Sequence, residues 1–171
     1  MCRATFQSEI DDPWTGLEPI RLGHVPPGRG TPDRYLTVEA DRGHLLRVDL
    51  YRSTDECFPF EEALSWSGWL VIGWGHHLFL VNLQSHATST VDLGTYFRHL
   101  YPAIDYLLVA SGERLLRVDP DGEVRWQSGA LGIDGVIVDA VADGVISGRG
   151  EWDPPGGWRP FKVRLDTGET G

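Results

Sequence analysis

The sequence predicts an all-β domain built as a small antiparallel repeat array, and three observations support this prediction. A short unit recurs four times, each copy made of an apolar run, a turn, and a second strand closing on Asp or Asn. The closing residues Asp49, Asn82, Asp119 and Asp166 lie 33, 37 and 47 residues apart by subtraction of their numbers. Such a period is typical of one supersecondary unit stacked on its own copies. The chain also holds 21 glycines, which suit many tight turns, and its candidate strands alternate apolar and polar residues.

The first element is an irregular N-terminal segment, residues 1–34, rich in Pro, Gly and Asp. It contains two strand-like pieces, Arg3–Ile10 and Glu18–Leu22. A chain of 171 residues suits one domain with a hydrophobic core. We therefore predict a single β-repeat domain over residues 1–171, with the four repeats in residues 35–171.

The repeats begin near Tyr35, Trp69, Tyr106 and Gly144, where the apolar runs start. In the first repeat, alternation places Leu46 and Val48 on one face of the strand and Arg47 and Asp49 on the other. Aligning the repeats predicts one buried position in each. These equivalent positions are Leu46, Phe79, Leu116 and Val163.

The third repeat has the clearest turn chemistry. Asp119–Gly122 (Asp-Pro-Asp-Gly) is a strong turn signal, and it predicts further strands at Val124–Gln127 and Gly135–Val141. Tyr106–Val141 would then hold four strands, the number in one propeller blade. Phe60–Leu64 and Leu93–Tyr101 could instead be helical turns. Both are short and uncapped, so we expect little helix.

The repeat length predicts a four-bladed or incomplete β-propeller closed by the N-terminal segment. The last unit has no sequence left for outer strands, and exposed sheet edges favour association. We therefore expect residues 3–22 to pack beside residues 144–166. Closure by dimerisation and a curved sheet or barrel are the alternatives.

The run Tyr106–Trp126 resembles a repeat of the quinoprotein-like (PQQ-type) β-propeller superfamily. The matching features are a short apolar strand, a Ser-Gly turn, a strand ending in Val-Asp, an Asp-Gly turn and a Trp. Residues 161–169 repeat the second half of the pattern. The resemblance implies a propeller-like fold but no catalytic or cofactor residues, and we predict no cofactor.

Charge and composition narrow the classes of partner. The formal net charge is −10, which opposes nucleic-acid binding and is compatible with a basic protein partner. No apolar stretch approaches a membrane span, and the N-terminus has no secretory signal pattern. Cys2 and Cys57 are expected to be free thiols in a cytoplasmic protein. Lys162 is the only lysine, so arginine supplies nearly all of the positive charge, which is a composition that suggests a bacterial source.

The candidate binding residues lie at turns that equivalent repeats would place on one rim: Asp41–His44, Gly73–His77, Ser111–Arg114 and the insertion at 151–160. Trp152 and Trp158 in that insertion are the strongest candidates, since Trp and Arg often anchor interfaces. His76 and His77 point to opposite faces of a strand, so we expect no shared metal. The predicted binding residues are Trp74, His76, His77, Arg149, Trp152 and Trp158.

These features favour a non-catalytic binding protein, such as an acidic inhibitor or immunity-type partner of another bacterial protein, acting as a monomer or homodimer. A second hypothesis is a small hydrolase or lyase that uses His76 or His77 with a carboxylate on the rim. A third is a carbohydrate-binding module in which Trp152 or Trp158 stacks on sugar rings. No phosphate-binding loop, zinc spacing or complete calcium loop occurs in the sequence.

Overall fold

The structure, a computed structural model, describes residues 3–39, 43–53, 56 and 59–171. These residues form fifteen strands, one 3₁₀ turn at Trp14–Gly16 and no α-helix, so the all-β prediction is confirmed. None of them belongs to a helix long and apolar enough to cross a membrane. The strands are β1 Arg3–Gln7, β2 Ile20–Gly23, β3 Arg34–Glu39, β4 Leu45–Tyr51, β5 Glu61–Trp66, β6 Trp69–Trp74, β7 His77–Asn82, β8 Thr88–Asp92, β9 Phe97–Pro102, β10 Leu107–Ser111, β11 Leu115–Val118, β12 Val124–Gln127, β13 Val136–Ala142, β14 Val145–Glu151 and β15 Trp158–Arg164.

The strands form four separate small sheets and no closed barrel. Sheet 1 has the order β1-β3-β4-β2, sheet 2 runs β5 to β8, sheet 3 runs β9 to β12, and sheet 4 runs β13 to β15. Neighbouring strands are antiparallel except β2 and β4, which are parallel. An isolated bridge from Thr170 to Val163 extends the outer edge of sheet 4.

The N-terminal segment completes the first sheet, so its predicted pairing with residues 144–166 is wrong. β1 pairs with β3 from Arg3–Glu39 to Gln7–Tyr35, and β2 pairs with β4. The hairpin of β3 and β4 has two edges, and the two N-terminal strands satisfy the backbone groups of both. Their apolar side chains, including Phe6 and Leu22, join the neighbouring core.

Sheets 2, 3 and 4 each begin one strand earlier than the sequence alignment implied. Residues 97–102, which had a helical alternative, form the first strand of sheet 3, and the strand at 136–142 belongs to sheet 4. The turn at Asp143–Gly144 explains the second change. Both residues have positive φ, 52° and 73°, which is the geometry of a tight hairpin that pairs β13 with β14.

Three hydrophobic clusters join consecutive sheets. The cluster between sheets 1 and 2 contains Leu22, Leu36, Val38, Val48, Leu50, Leu70, Ile72, Trp74, Phe79 and Val81. The cluster between sheets 2 and 3 contains Trp66, Val71, Leu78, Leu80, Leu93, Phe97, Leu100, Leu107, Val109, Leu116 and Val118. The cluster between sheets 3 and 4 contains Leu108, Ala110, Leu115, Trp126, Leu131, Val136, Ile146 and Val163. Among the described residues no cluster joins sheet 4 to sheet 1, so the hydrophobic packing is that of an open stack.

The four aligned positions do not all face the same way. Phe79, Leu116 and Val163 are buried and each belongs to the cluster shared with the preceding sheet. Leu46 is only half-buried and packs toward the following sheet. Sheet 1 is therefore turned relative to the others: its aligned residue faces the following sheet, whereas those of sheets 2, 3 and 4 face the preceding sheet. The apolar face of sheet 1 meets the apolar face of sheet 2.

Both ends of the stack are consequently polar. The outer face of sheet 1 carries Arg47 and Asp49, and the outer face of sheet 4 carries Arg164 and the Arg149–Asp139 pair. Polar outer faces are how terminal repeats of open arrays remain soluble without closure.

Tryptophan side chains join sheet 2 to sheet 3 and sheet 3 to sheet 4 through hydrogen bonds. Trp66 Nε1 donates to the Ala103 carbonyl at 2.6 Å, and Trp69 Nε1 donates to the Pro120 carbonyl at 3.1 Å, joining sheet 2 to sheet 3. Trp126 Nε1 donates to the Leu165 carbonyl at 2.9 Å, joining sheet 3 to sheet 4. These indoles are thus structural, as expected for wedges between sheets.

Candidate functional site

Backbone hydrogen bonds bring the loops of sheets 2, 3 and 4 together on one rim. The amide of Phe97 donates to Gly75 O at 2.7 Å, and the amide of Gly112 donates to Tyr96 O at 2.9 Å. The series continues through the amides of Gly135 and Glu151, which donate to Gly112 O at 2.7 Å and Gly135 O at 2.9 Å. The predicted rim segments 73–77, 111–114 and 151–160 therefore meet, while Asp41 lies outside the described residues.

A cationic-aromatic cluster, the Arg98 cluster, sits where these loops meet; we define it as Phe60, Tyr96, Arg98 and Trp158. The guanidinium carbon of Arg98 lies 4.8 Å from the centre of the Phe60 ring and 5.7 Å from the centre of the Trp158 ring. The Tyr96 ring lies 6.2 Å from that of Phe60. The cluster thus joins residues from the loop before β5, from the start of β9 and from β15.

Gly135 is needed for this arrangement. Its φ is 153°, and a Cβ atom at that position would lie 3.1 Å from the Trp158 ring and 3.3 Å from the Arg98 guanidinium. A larger residue would therefore be strained and would press on both side chains.

Tyr96 is fixed at the edge of the cluster by Asp134. The Tyr96 hydroxyl donates to the Asp134 carbonyl at 2.7 Å and lies 3.0 Å from its carboxylate. Burial, followed by this interaction with Asp134, raises the pKa of Tyr96 to about 12. These hydrogen bonds hold the loop at residue 134 against the start of β9.

A groove of about 430 Å³ runs beside the cluster. It is lined by Phe60, Arg98, His99, Tyr101, Ile137 and Val138. His99 Nδ1 lies 2.6 Å from Glu62 Oε2, which also accepts the Leu100 amide at 2.9 Å. The Tyr101 hydroxyl accepts the Val138 amide at 3.1 Å, and burial raises the pKa of this tyrosine. The groove thus has fixed polar groups on an otherwise apolar floor.

The structure distributes the predicted tryptophan and arginine residues over different surfaces. Trp158 lies in the Arg98 cluster, and Trp152 is half-buried in the adjoining loop. Arg149 instead pairs with Asp139 on the outer face of sheet 4, with both hydrogen bonds at 3.0 Å. Trp74, also predicted to bind, is only 5% exposed and lies in the core between sheets 1 and 2.

The two adjacent histidines are half-buried at the turn between β6 and β7. His77 Nδ1 lies 3.2 Å from Glu56 Oε1, and its ring stacks on Phe79 with 5.5 Å between centres. His77 and Glu56 line a pocket of about 220 Å³ together with His24, Ser53 and Thr90. The carbonyl of His76 accepts the Leu93 amide at 2.9 Å. The described part of the chain contains no group of three or more His, Cys, Asp or Glu residues arranged for a metal ion.

Sequence reasoning missed Phe60, Tyr96 and Arg98. Phe60 begins one of the two segments that had a helical alternative, and Tyr96 and Arg98 lie within the other. Strand assignment would have placed Tyr96 and Arg98 on one face by period-two alternation, opposite the buried Phe97. The aromatic-rich run after Gly94 was the available signal.

Comparison with known proteins gives no family assignment. No protein-family model matches the sequence, and no curated protein is significantly similar to it. The site must therefore be interpreted from its own geometry.

Proposed function

We propose that this protein is a non-catalytic binding protein that recognises another protein through the Arg98 cluster. The observation that carries the proposal is a guanidinium held between two aromatic rings, Phe60 and Trp158, on a rim shared by three sheets. Trp, Tyr and Arg dominate the energetic centres of protein interfaces. Because these side chains already contact each other, little conformational entropy is lost when a partner binds.

Charge favours a basic partner. The chain has a formal net charge of −10; Asp134 contacts Tyr96 of the cluster, and Glu62 contacts His99 in the adjoining groove. An acidic surface accelerates association with a basic protein, while the central aromatic residues supply affinity. This combination fits an inhibitor or immunity-type partner in a bacterial cytoplasm, which is the function that we propose.

Site-specific photo-crosslinking in the native host tests the proposal. We would place a photoreactive phenylalanine analogue at Ile133, which is 51% exposed beside Asp134 on the rim, and at Ile104, which is 91% exposed beyond the far end of β9. We expect one defined protein adduct from position 133, its loss when Arg98→Ala is added, and none from position 104. Equal adducts from both positions, or an adduct insensitive to Arg98→Ala, would contradict the proposal.

Carbohydrate binding through Trp158 is less well supported. Sugar stacking needs an open ring face, and Arg98 already lies over one face of the Trp158 ring at 5.7 Å. Trp152 is half-buried. Binding of oligosaccharides that is lost on Trp158→Ala and retained on Arg98→Ala would favour the carbohydrate-binding alternative over a protein partner.

The His77 pocket is the specific observation that favours a second candidate, a small hydrolase. Nδ1 of His77 contacts Glu56, which would orient the ring and leave Nε2 to act as a general base, and the hydroxyl groups of Ser53 and Thr90 line the same pocket. Hydrolysis of p-nitrophenyl acetate tests this candidate. Activity that is lost in both His77→Ala and Glu56→Gln, but retained in His99→Ala, would favour the enzyme over the binding protein.

For the architecture, we propose an incomplete propeller in which sheets 2, 3 and 4 act as blades and sheet 1 caps one end. The support is the common facing of Phe79, Leu116 and Val163 toward the preceding sheet. The opposite facing of Leu46 supports the capping role of sheet 1.

A further inference from the structure

The outer face of sheet 1 carries a pocket that the rim proposal does not use. It has a volume of about 410 Å³. Residues from the N-terminal segment and from β2, β3 and β4 line it, including Arg21, Arg29, Tyr35, Arg47, Asp49 and Tyr51. The lining contains three arginines and the two carboxylates of Asp49 and Glu18. The pocket therefore has one net positive charge in a protein of formal charge −10.

Arg47 lines the pocket, and Asp49 and Tyr35 fix its position. Its Nε and Nη2 donate to the two carboxylate oxygens of Asp49 at 2.8 Å and 3.0 Å, and its guanidinium carbon lies 5.3 Å from the centre of the Tyr35 ring. The Arg47 side chain is 15% exposed, and its remaining nitrogen, Nη1, donates to no group in the part of the chain that the structure describes.

Sheet 3 contains the same three residue types in a similar arrangement, and there the guanidinium also binds a backbone carbonyl of sheet 4. Arg117 Nε donates to Asp119 at 3.0 Å, and its guanidinium carbon lies 5.4 Å from the centre of the Tyr106 ring. Its Nη1 donates to the Leu165 carbonyl of sheet 4 at 3.1 Å. This Tyr-Arg-Asp arrangement therefore binds an oxygen acceptor in one place within the molecule, and sheet 1 presents a second copy on its outer face, onto which no described sheet packs.

We propose that the sheet 1 pocket binds a small anionic molecule through its carboxylate or phosphate oxygens. Arg47 Nη1 would donate to one oxygen, and the exposed Arg29 would supply a second charge at the pocket edge. Arginine suits this role because its fork of N–H donors matches the geometry of these oxyanions. Arg21 contributes less, since it is already paired with Glu18 at 3.0 Å.

Nuclear magnetic resonance titration tests the proposal at constant ionic strength. The probes are sodium phosphate, N-acetyl-triglycine, whose only charge is its carboxylate, and the uncharged amide of the same peptide. We expect saturable shifts of the Arg47 Nε–H resonance with phosphate, with the carboxylate or with both, which distinguishes the two oxyanion sources. Arg117 provides an internal control, because its guanidinium already binds Leu165 and should not respond.

Matched variants sharpen the test. Arg29→Gln should weaken oxyanion binding by about ten-fold, the effect of one charge-assisted hydrogen bond. Arg125→Gln, which removes an equal charge from the exposed β12, should leave binding unchanged. Equal weakening in both variants, equal binding of the peptide amide, or the absence of saturable binding would overturn the proposal.

Discussion

Sheets 1 and 3 carry the same polar pattern in opposite surroundings. Tyr35, Arg47 and Asp49 line a pocket on a face that no described sheet covers, whereas Tyr106, Arg117 and Asp119 lie where sheet 4 docks. The comparison shows that the local pattern of residues determines which side chains share a face of a sheet. The apolar content of the two faces determines which of them another sheet covers.

The sequences of β10 in sheet 3 and β3 in sheet 1 differ in the way that these surroundings require. β10 (Leu-Leu-Val-Ala-Ser) is buried at every position, since sheet 3 has neighbours on both sides. β3 (Arg-Tyr-Leu-Thr-Val-Glu) alternates polar and apolar residues, since only one face of sheet 1 is covered by another sheet. Continuous apolar strands are expected in doubly covered sheets and alternating strands in singly covered ones.

The largest expected effect follows deletion of residues 1–22. The deletion removes β1 and most of β2, exposes both edges of the β3–β4 hairpin and uncovers the core around Leu36 and Val48. We expect aggregation or a loss of stability above the roughly 2–5 kcal/mol typical of one buried leucine. Urea unfolding and light scattering measure both results.

Hydrogen exchange on the truncated protein distinguishes the two possible positions of the N-terminal segment. Protection should fall first in β3 and β4. A loss confined to β14 and β15, or a monomer with an unchanged melting temperature, would contradict the pairing that we describe.

The next effect compares two aligned leucines. Leu116→Ala should cost roughly 2–5 kcal/mol, because the side chain is 1% exposed between sheets 2 and 3. Leu46→Ala should cost distinctly less, because Leu46 is half-buried in sheet 1. Equal losses in the free energy of unfolding would show that the two positions are equivalent after all.

The sequence was sufficient to predict the all-β class, the repeated hairpins and the meeting of segments 73–77, 111–114 and 151–160 on one rim. It was insufficient for the turned sheet, because the alignment of Leu46 with Leu116 compares local patterns and carries no information on the neighbouring sheet. Arg98 was missed for a related reason. Its role depends on contacts with Phe60 and Trp158, which are 38 and 60 residues away by subtraction of their numbers.

A smaller effect is expected at the junction of sheets 3 and 4. Trp126→Phe keeps most of the apolar contact but removes the hydrogen bond to the Leu165 carbonyl, which Arg117 still satisfies. We expect a loss of about 0.5–1.5 kcal/mol in the free energy of unfolding. Trp14→Phe, in the 3₁₀ turn of the N-terminal segment, is the control substitution. An equal loss of stability in that variant would show that the hydrogen bond to Leu165 does not account for the effect of Trp126→Phe.

The smallest effect appears only at high pH. Because the pKa of Tyr96 is raised to about 12 from 10.0, the folded state retains this proton where the unfolded state releases it. The stabilisation of the folded state by the protonated Tyr96 hydroxyl is therefore present below pH 10.0 and is lost as the pH rises toward 12. Tyrosinate absorbance should show a late ionisation step that Tyr96→Phe removes. Removal of a step near pH 10.0 instead would contradict the raised pKa.

The most direct test of the turned first sheet is a methyl nuclear Overhauser measurement in solution. The packing predicts contacts from the methyl groups of Leu36 and Val48 in sheet 1 to apolar side chains of sheet 2, such as Leu70 and Phe79. Contacts from sheet 1 methyl groups to Val145 on the outer face of sheet 4, with none to sheet 2, would indicate a closed ring and contradict the open stack.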